Sequence, residues 1–501
     1  MYFNIFPALT KKNNAIALRH KNVFISYSDL TKQLDKISGE IDFKVCPQII
    51  AIFMERSIEL VFAMLSCFFS EHIFCILDAN MPAEKLCDAM EELGTNLLFT
   101  NEKHYSKYGS IIDKNKCNAV IFNFEEESEK IGIIKKGNHR RRGTFIDNLD
   151  CSHIVYTSGS TGRAKGILSS RRATLNFIKW EKAYLEINEP VNIAQMSTPW
   201  FDPYMRDVFL AISTGGTICI PTQREYFGPS AFFDFCTEKN ISLIHIVPTL
   251  FRQLFLSNRN DKIHNIKYIL LAGEMSFGCD IKKYYEKNKT GMLFNLYGPS
   301  ETTLAKFCYK ISSEDAELDR IPVGKPIDDT FFRIIDENGK ELSAGDIGEV
   351  IIYTKDCSYG YLNRPELNGK VFDKQSCYVS FRTSDTGFVR DDGNLELVGR
   401  IDNMKKIYGQ KVFPEEIEGV LMACPGIRKC RCDISNNQIV AYIEASVDFD
   451  VALYRSTVSV LVPFKRPHKL LIMEKIPTNK NGKIDRTVRI EDEKIKRKLI
   501  L

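Results

Sequence analysis

Short apolar runs alternate with longer amphipathic stretches through the first four-fifths of the chain. The apolar runs are Ala119–Phe122, Ile154–Thr157, Thr217–Pro221, Leu243–Pro248, Tyr268–Ala272 and Met292–Leu296. Amphipathic stretches include Ser57–Phe69 and Ala231–Lys239. The runs fit buried strands, and the stretches fit helices with one apolar face. This alternation predicts an α/β fold in which helices cover parallel sheets.

The pattern changes after Pro322. Closely spaced strands are predicted at Phe331–Ile335 and Val350–Tyr353, and turn signals follow at residues 336–339 and 391–393. Short strands joined by such turns are typical of hairpins. A compact β-rich subdomain is therefore expected in this part of the chain.

The charges of the chain nearly balance. The 68 basic and 64 acidic residues give a net charge of +4, which argues against a polyanionic partner such as a nucleic acid. The one strongly basic run, residues 135–142, is interpreted as a solvated surface loop.

The 15 cysteines are scattered, without a Cys-x-x-Cys pair or a His-x-x-x-His partner. Neither a zinc site nor a disulfide framework is predicted, and the thiols suit a reducing cytosol. The segment Met1–Lys12 lacks the apolar core of a signal peptide. The longest apolar stretch, Ile49–Phe69, contains Glu55, Arg56 and Glu59 and is unable to span a bilayer. The sequence predicts a soluble, cytoplasmic protein.

Residues 154–166 combine the end of an apolar strand with a polar loop. The loop holds the hydroxyl residues Thr157, Ser158, Ser160 and Thr161, the glycines Gly159, Gly162 and Gly166, and Lys165. Glycines let backbone N–H groups turn toward a ligand, hydroxyls add donors and the lysine adds positive charge, which suits a polyphosphate. The spacing differs from that of a Walker loop. A flexible Ser/Gly linker is the alternative, but the preceding strand and the lysine favour a nucleotide-phosphate loop.

Three further segments extend this pattern. Residues 295–303 read Asn-Leu-Tyr-Gly-Pro-Ser-Glu-Thr-Thr, residues 382–385 and 399–402 read Arg-Thr-Ser-Asp and Gly-Arg-Ile-Asp, and residues 481–486 read Asn-Gly-Lys-Ile-Asp-Arg. In this order and at these distances, the chain resembles the adenylate-forming superfamily of acyl-CoA synthetases, luciferases and nonribosomal peptide synthetase adenylation domains. The resemblance covers nearly the whole chain. Two small departures are Arg163-Ala164, where the family usually has Lys-Pro, and Ser384, where it usually has glycine.

The resemblance implies a large N-terminal domain that meets a small C-terminal lid at a hinge, with the active site between them. The N-terminal domain, residues 1–401, is expected to contain two parallel-rich sheets with helices and the β-rich subdomain. The lid, residues 402–501, is expected to be a small α+β unit that starts at the hinge residue Asp402. It should contain a helix around Pro414–Met422 and end in a charged tail, Glu491–Lys498.

An adenylate-forming enzyme joins a carboxylate to the α-phosphate of ATP and releases pyrophosphate. Its site has to neutralise phosphate charge, hold Mg²⁺ and align the reactants. Glu301, a carboxylate on a hydroxyl-rich loop, is the predicted Mg²⁺ ligand. By resemblance, Lys483 is the lid lysine that contacts both the substrate carboxylate and the α-phosphate. Thr157 and Lys165 complete the predicted catalytic set.

The nucleotide itself, ATP, is expected to be bound by residues of all these motifs. Tyr297 is predicted to stack on adenine, Asn295 to read its amine, Asp385 to grip both ribose hydroxyls, and Arg400 to contact ribose or phosphates. The other predicted nucleotide-binding residues are Ser158, Gly159, Ser160, Thr161, Gly162, Gly273, Glu274, Leu296, Gly298, Ser300 and Thr302. By resemblance, Gly409 belongs to the lid segment that rotates in for thioester formation.

Residues 199–209 read Pro-Trp-Phe-Asp-Pro-Tyr-Met-Arg-Asp-Val-Phe. This segment is similar to one in amino-acid adenylation domains whose aspartate binds the substrate ammonium, which implies that role for Asp202. Acyl-CoA and aryl-CoA synthetases have no such need for an anion. By motif register, the other residues of the substrate pocket are Pro203, Arg206, His245, Leu270, Ala272, Leu296, Leu304 and Ala305.

Arg206 bears on the substrate side chain. A buried arginine near a substrate is costly unless it meets an anion. Together with Asp202, Pro203 and His245, it makes the pocket look like that of fungal α-aminoadipate reductases, which favours an amino acid with a second carboxylate. The alternative is that Arg206 pairs with a protein carboxylate, such as Asp207 or Asp202.

The sequence therefore predicts an ATP-dependent, AMP-forming amino acid–carrier protein ligase. No Leu-Gly-Gly-x-Ser carrier signature and no His-His-x-x-x-Asp-Gly condensation signature occurs in the chain, so the expected acceptor is the phosphopantetheine thiol of a separate carrier protein. An acyl- or aryl-CoA ligase is the chief alternative. A D-alanine–carrier protein ligase is another, although Arg206 and His245 are odd neighbours for a methyl side chain. A dead relative that only binds nucleotide is disfavoured by the intact Lys165, Glu301, Asp385 and Lys483.

Overall fold

The computed structural model describes most of the chain. The described residues are 5–10, 14–40, 47–125, 128–139, 150–157, 164–256, 266–288, 291–408, 410–447, 449–478, 484–486, 488, 490 and 495–500.

The first third of the chain alternates strands and helices. Its described strands are β1 (Ile16–His20), β2 (Val23–Ser26), β3 (Ile49–Phe53), β4 (Ile73–Ile76), β5 (Leu97–Asn101), β6 (Asn118–Glu125), β7 (Lys130–Lys136), β8 (Cys151–Thr157) and β9 (Lys165–Ser170). Its described helices are α1 (Pro7–Thr10), α2 (Tyr27–Glu40), α3 (Ile58–Phe69), α4 (Ala83–Glu92) and α5 (Glu102–Lys114). Helix α3 begins where the sequence predicted, because the Ser57 side chain accepts a hydrogen bond from the Leu60 backbone N–H.

The next segment continues the alternation and carries most of the candidate site. Its helices are α6 (Arg171–Tyr184), α7 (Pro203–Thr214), α8 (Gln223–Phe227), α9 (Pro229–Glu238), α10 (Pro248–Phe255) and α11 (Gly278–Lys287). Its strands are β10 (Ile193–Ala194), β11 (Ile218–Ile220), β12 (Leu243–Ile246), β13 (Tyr268–Ala272), β14 (Met292–Tyr297) and β15 (Phe307–Ile311).

The remainder is richer in strands. It contains β16 (Lys325–Pro326), β17 (Thr330–Ile335), β18 (Gly348–Thr354), α12 (Pro365–Val371), β19 (Phe372–Gln375), β20 (Tyr378–Val389) and β21 (Leu395–Arg400). After Arg400 follow β22 (Lys405–Ile407), β23 (Gln410–Val412), α13 (Pro414–Met422), β24 (Ile427–Ser435), β25 (Gln438–Ala445), α14 (Val451–Ser459), β26 (Lys469–Met473) and β27 (Ile495–Ile500).

Two sheets with mainly parallel pairing form the body of the protein. Among the described strands, one sheet has the order β7-β6-β5-β3-β4-β8-β9, and the other has the order β16-β15-β14-β13-β12-β10-β11-β1-β2. The inner pairs, such as β3 with β4 and β12 with β13, are parallel, whereas the outer pairs, such as β8 with β9 and β14 with β15, are antiparallel. The predicted α/β class with two parallel-rich sheets is confirmed.

The two faces of the second sheet belong to different hydrophobic cores. On β13, Leu270 packs in the largest core, where helices α3, α6 and α7 meet the sheet. Its neighbours Ile269 and Leu271 pack in the core on the opposite face. Side chains of a strand alternate between faces, so the helices on one face of this sheet lie over Leu270 and the residues in phase with it.

Strands β17–β21 form an antiparallel sheet, as predicted for the β-rich part. The segment after Arg400 contains the β22–β23 ribbon and the sheet β24-β25-β26-β27. The predicted charged tail, residues 491–498, overlaps strand β27, which pairs antiparallel with β26. One expectation needs correction. Lys135 and Lys136 of the basic run end strand β7 instead of lying in a loop.

None of the helices in the described ranges is both long and apolar enough to cross a membrane.

Candidate functional site

Two predicted site segments lie at the carboxyl ends of the neighbouring parallel strands β13 and β14. Gly273 and Glu274 follow β13, Tyr297 ends β14, and the 3₁₀ turn Ser300–Thr302 comes next. In open α/β sheets, ligands bind at this edge. The sheet therefore brings the predicted adenine-, metal- and substrate-binding residues of β12–β14 together.

The predicted phosphate loop is a hairpin connection. Thr157 and Lys165 face each other across the β8–β9 pair, so they mark the two ends of the loop. Its central residues Ser158, Gly159, Ser160, Thr161 and Gly162 lie outside the described residues, as do Gly409 and Lys483. Their assigned roles stay predictions from sequence.

Tyr361 links this hairpin to Glu301, and sequence reasoning missed it. Its hydroxyl donates to Glu301 Oε1 at 2.7 Å, and the Lys165 ammonium lies 5.3 Å from its ring centroid. Burial and the charge of Glu301 raise the pKa of Tyr361, so the hydroxyl stays protonated and keeps donating. The buried Tyr361 thereby holds the predicted metal ligand beside the predicted phosphate lysine.

The backbone around Tyr361 is fixed from both sides. Leu168 N–H donates to Gly360 O and Leu362 N–H to Gly166 O, which ties the segment to strand β9. Ser358 N–H donates to Glu301 O at 3.2 Å. These bonds explain how residues far apart in sequence meet at one place.

The loop after Tyr297 is folded back tightly on itself. Lys306 N–H donates to Tyr297 O at 2.7 Å, and a Cβ at Gly298 would lie 2.4 Å from Leu304 O. Thr303 and Leu304 adopt φ values of 60° and 61°, which are unusual for side chains of their kind. Such strain is often found at functional sites. Here it accompanies the loop that carries Glu301.

Asp385, the predicted ribose ligand, is held by two neighbours. Tyr297 Oη donates to Asp385 Oδ2, and Arg400 Nη1 lies 2.9 Å from Asp385 Oδ1. Burial raises the pKa of Asp385, although Arg400 and Tyr297 oppose the rise. Because each carboxylate oxygen has two acceptor positions, both oxygens keep capacity for a ribose hydroxyl.

Ser384, the departure next to this aspartate, has a φ of 57°. That left-handed conformation is free of steric cost only for glycine. The structure thus gives a physical reason why glycine usually precedes the ribose aspartate in the resembled family.

Asn295 and Glu274 also make protein contacts. Asn295 Nδ2 donates to the carbonyls of Ile321 and Pro322, and its Oδ1 accepts from Ser276 Oγ at 3.3 Å. Only the remaining acceptor position of Oδ1 is left to receive an amine. Glu274 Oε2 accepts from Thr249 N–H and Oγ1 at 2.8 and 2.7 Å, which fixes the start of α10.

The predicted substrate pocket is apolar on the side of the strands. Leu270, Leu296, Leu304 and Ala305 belong to one buried core, with Ala272 packed against it. His245 lies beside Leu270 in the register of β12 and β13. Asp202, 6% exposed, immediately precedes α7, and Pro203 is the first residue of that helix. A carboxylate at this end is stabilised by the helix dipole.

Arg206 has a different partner from those considered above. Its guanidinium forms a bidentate ion pair with Glu181 of α6, with Nε 3.1 Å from Oε1 and 3.4 Å from Oε2, and Nη2 also binds Oε1. Both side chains are buried, at 2% and 1% exposure. The alternative of a protein carboxylate as the partner of Arg206 is therefore observed, with Glu181 as that carboxylate, and the second substrate carboxylate stays a prediction from sequence. The pairings with Asp207 or Asp202 are not the ones observed.

His245 lies on the same charged cluster. Its Nδ1 is 2.7 Å from Asp207 Oδ1, and its Nε2 is 3.3 Å from Glu181 Oε1 without hydrogen-bond geometry. The other oxygen of Asp207 accepts from Ser197 N–H at 2.8 Å. Every polar pocket residue on this side thus has a protein partner.

The sequence contains a signal that could have identified Glu181 as a buried charge with a partner. On α6, Thr174, Phe177, Ile178 and Glu181 recur at helical spacing and are all buried, so Glu181 is a charge on the apolar face. A charge there requires a buried partner. For Tyr361 we find no comparable local signal.

The structure permits a metal at Glu301. Within the described residues, no group of three or more His, Cys, Asp or Glu side chains is arranged to hold a metal ion. Mg²⁺, however, is commonly bound by one or two carboxylates together with substrate phosphates. A single carboxylate fits that mode, since Glu301 is bonded to Tyr361, whose ring lies 5.3 Å from the Lys165 ammonium.

Known proteins resemble this chain in sequence. Residues 6–362 match the AMP-binding enzyme family. Zwittermicin A synthase ZmaJ of Bacillus cereus is 25% identical over 490 residues, which cover 94% of this chain and 91% of ZmaJ. Gramicidin S synthase 2 of Aneurinibacillus migulanus is 26% identical over 459 residues, which cover 89% of this chain but only 10% of that synthase.

Solved structures share the fold. A holo four-domain nonribosomal peptide synthetase bound to AMP and glycine aligns with a TM-score of 0.80 and 21% identity, over 97% of this chain and 36% of that chain. O-succinylbenzoate coenzyme A synthetase of Bacillus subtilis, in complex with ATP and magnesium, aligns with a TM-score of 0.78 and 19% identity, over 96% and 98%. The chain therefore belongs to the AMP-binding enzymes, is an AMP-forming ligase of the adenylate-forming superfamily, and is homologous to nonribosomal peptide synthetase adenylation domains.

Proposed function

We propose that this protein activates an amino acid with ATP, releases pyrophosphate, and passes the aminoacyl group to the phosphopantetheine thiol of a carrier protein. The observation that carries the amino-acid part is Asp202, a carboxylate of 6% exposure at the start of α7. It lies in the segment that resembles the ammonium-binding segment of amino-acid adenylation domains. The ammonium of an amino acid is a matching partner for a buried carboxylate at this position.

The nucleotide half of the proposal rests on residues that the fold brings to one edge. Asp385 would accept from the ribose hydroxyls, with Tyr297 and Arg400 orienting its carboxylate. Lys165, together with the hairpin loop, would neutralise phosphate charge. Glu301, oriented by Tyr361, would hold Mg²⁺, which when bound supplies positive charge to the phosphates.

The lid half of the proposal is drawn from sequence resemblance. We assign residues 1–401 to the adenylation core, residues 402–501 to a mobile lid, and Asp402 to the hinge. Lys483 would contact the substrate carboxylate and the α-phosphate when the lid closes. A cation that arrives only on closure stabilises the transition state more than the open ground state.

One of the two arguments for a second substrate carboxylate, a buried arginine that needs an anion, is met by Glu181 instead. The other, the likeness of the pocket residues to an aminoadipate-binding pocket, stays a prediction from sequence. We therefore base the amino-acid assignment on Asp202 alone.

The experiment is ATP–pyrophosphate exchange with the amino acids, a few aryl acids and fatty acids, on the wild type and Asp202→Asn. We expect exchange with an amino acid, and a loss on the order of 10²-fold or more in the variant, because a buried ammonium loses its carboxylate. The matched control is Asp88→Asn, an exposed aspartate on α4, which should behave as wild type.

Two outcomes separate the alternatives. Exchange with aryl or fatty acids but not amino acids would favour a CoA ligase, as would acyl transfer to free coenzyme A. Transfer of a labelled amino acid to a phosphopantetheinylated carrier protein, but not to its apo form, would support the carrier-protein acceptor.

A further inference from the structure

Four buried charged or polar side chains form a cluster beside the predicted substrate pocket. The charged cluster consists of Glu181 on α6, Arg206 and Asp207 on α7, and His245 on β12. Each of the four side chains is at most 2% exposed. Arg206 and His245 are predicted pocket residues, whereas Glu181 comes from a helix to which no substrate role was assigned.

We propose that Glu181 is a specificity-determining residue, which neutralises Arg206 so that the pocket selects an amino acid with an uncharged side chain. This inference rests on the proposed amino-acid activation and adds the substrate class. It also reverses the expectation of a second substrate carboxylate.

In this geometry the Arg206 guanidinium is paired with the Glu181 carboxylate. Nε and Nη2 both bind the Glu181 carboxylate, which is the fork arrangement that arginine forms with carboxylates. The guanidinium carbon also lies 5.4 Å from the ring centroid of Phe177, one turn earlier on α6. The arginine is thus held against α6 by a bidentate ion pair and an aromatic ring.

The four side chains of the charged cluster carry no net positive charge. Two carboxylates face one guanidinium and one imidazole, so the net charge is −1 with His245 neutral and zero with His245 protonated. Although burial opposes ionisation, Arg206 and His245 lower the pKa of Glu181 to about 2, so Glu181 is charged at neutral pH. A substrate carboxylate would find no cation that lacks a partner here.

Binding of a substrate with a cationic side chain is also disfavoured. Both oxygens of Glu181 accept from Arg206, and those of Asp207 meet His245 and the Ser197 N–H. A substrate carboxylate could bind Arg206 only by breaking its pair with Glu181, which leaves an uncompensated charge behind. A substrate cation would have to share Glu181 with Arg206 or Asp207 with His245. The rest of the lining, Leu270, Leu296 and Leu304 included, is apolar.

The test compares wild type with Glu181→Gln, which keeps the shape and one acceptor but removes the charge. Exchange is measured with leucine and glutamine as neutral substrates, glutamate and α-aminoadipate as acidic ones, and lysine. Wild type should favour a neutral amino acid. In Glu181→Gln the ratio of acidic to neutral exchange should rise on the order of 10²-fold, because Arg206 is freed to pair with the substrate. The control Glu186→Gln alters an exposed glutamate just beyond α6 and should keep the wild-type ratio.

A second variant removes the pair without leaving a charge. Glu181→Leu combined with Arg206→Met should keep the neutral preference, because a buried ion pair is replaceable by apolar side chains of similar size. Thermal melting shows whether Glu181→Gln folds. If it does not fold, the double variant and the substrate preference of the wild type test the inference.

The inference is overturned if wild type prefers glutamate, α-aminoadipate or lysine, or if folded Glu181→Gln keeps the wild-type ratio. A double variant that loses the neutral preference also contradicts it. Wild-type exchange with no amino acid, but with aryl or fatty acids, instead overturns the proposed function, and the inference falls with it.

Discussion

The Tyr361 hydroxyl donates to Glu301 Oε1 at 2.7 Å, across 60 residues of sequence. Tyr361 is buried, and its ring faces Lys165. One side chain from the β-rich part thereby positions the predicted metal ligand against the hairpin that carries the predicted phosphate loop.

Tyr361→Phe should weaken the use of Mg²⁺ without unfolding the protein. Partners that orient a metal ligand typically contribute about 10- to 100-fold in metal affinity or activity. We expect the Mg²⁺ concentration for half-maximal exchange to rise in that range. Tyr359→Phe is the matched control, since its hydroxyl contacts Asp150 at the surface. An unchanged Mg²⁺ dependence in Tyr361→Phe would show that this hydrogen bond does not position the metal ligand.

Ser384→Gly should keep exchange activity and leave the free energy of unfolding unchanged or raise it by up to about 1 kcal/mol. The reason is the φ of 57° at Ser384, which glycine adopts without steric cost. Ser384→Val should lower the free energy of unfolding by roughly 1–3 kcal/mol, since a β-branched residue is strained in this conformation. Denaturant titration measures both. If glycine proved more destabilising than valine, the backbone argument would be wrong.

Lys306→Met should stabilise the protein at neutral pH. Lys306 is 2% exposed, and burial lowers its pKa from 10.5 to about 8. Between those pH values the unfolded chain binds more protons, so the stability of the wild type rises with pH. Below pH 8 the folded protein retains the full cost of the buried charge. The variant should therefore gain on the order of 1–3 kcal/mol at pH 7, and the gain should shrink between pH 8 and 10.5.

The charge of Asp356 acts on Lys306 and opposes the lowering of its pKa. Asp356 keeps partners in the variant, because Arg172 and Asn176 contact it. Lys310→Met is the control, because Lys310 lies on β15, the strand that follows Lys306, but is exposed; it should show no comparable gain. Melting temperatures of the wild type and both variants, measured across pH, test this prediction. A loss of stability in Lys306→Met at pH 7 would mean that the lysine is a net stabilising group.

Lys483→Ala should abolish most exchange while ATP binding stays near that of the wild type. The proposed role places this cation at the reacting groups only in the closed state. Loss of one charge-stabilising donor costs on the order of 10²–10³-fold. Calorimetric titration with ATP and the exchange assay measure the two properties separately. Lys475→Ala, an exposed lysine of the same C-terminal segment, is the control. Exchange close to the wild-type rate in Lys483→Ala would remove Lys483 from the catalytic set.

Several elements could be predicted closely because their signals are local. Strand β13 and helix α13 have the predicted bounds, Tyr268–Ala272 and Pro414–Met422. Where the bounds differ, proline explains part of the difference. The run Leu243–Pro248 ends as a strand at Ile246, because Pro248 begins helix α10 and restricts the residue before it.

The partners of charged side chains were beyond sequence reasoning. Arg206 was correctly expected to be buried, but the two carboxylates named as possible partners, Asp202 and Asp207, are neighbours on the chain. The partner is Glu181, 25 residues earlier on another helix. Only the packing of α6 against α7 decided that, since a pattern on one element does not state which element covers it.

By itself, the sequence determined the α/β class, the order of the motifs and the residue types at the candidate site. The class follows from periodicity along the chain, which neighbouring residues settle, and the site residues follow from the resemblance of the motifs to those of a known family. The tertiary structure decided that Tyr361 holds Glu301 and that Glu181 neutralises Arg206. Both are contacts between distant segments, and a buried charge takes whichever partner the packed chain brings within hydrogen-bond reach.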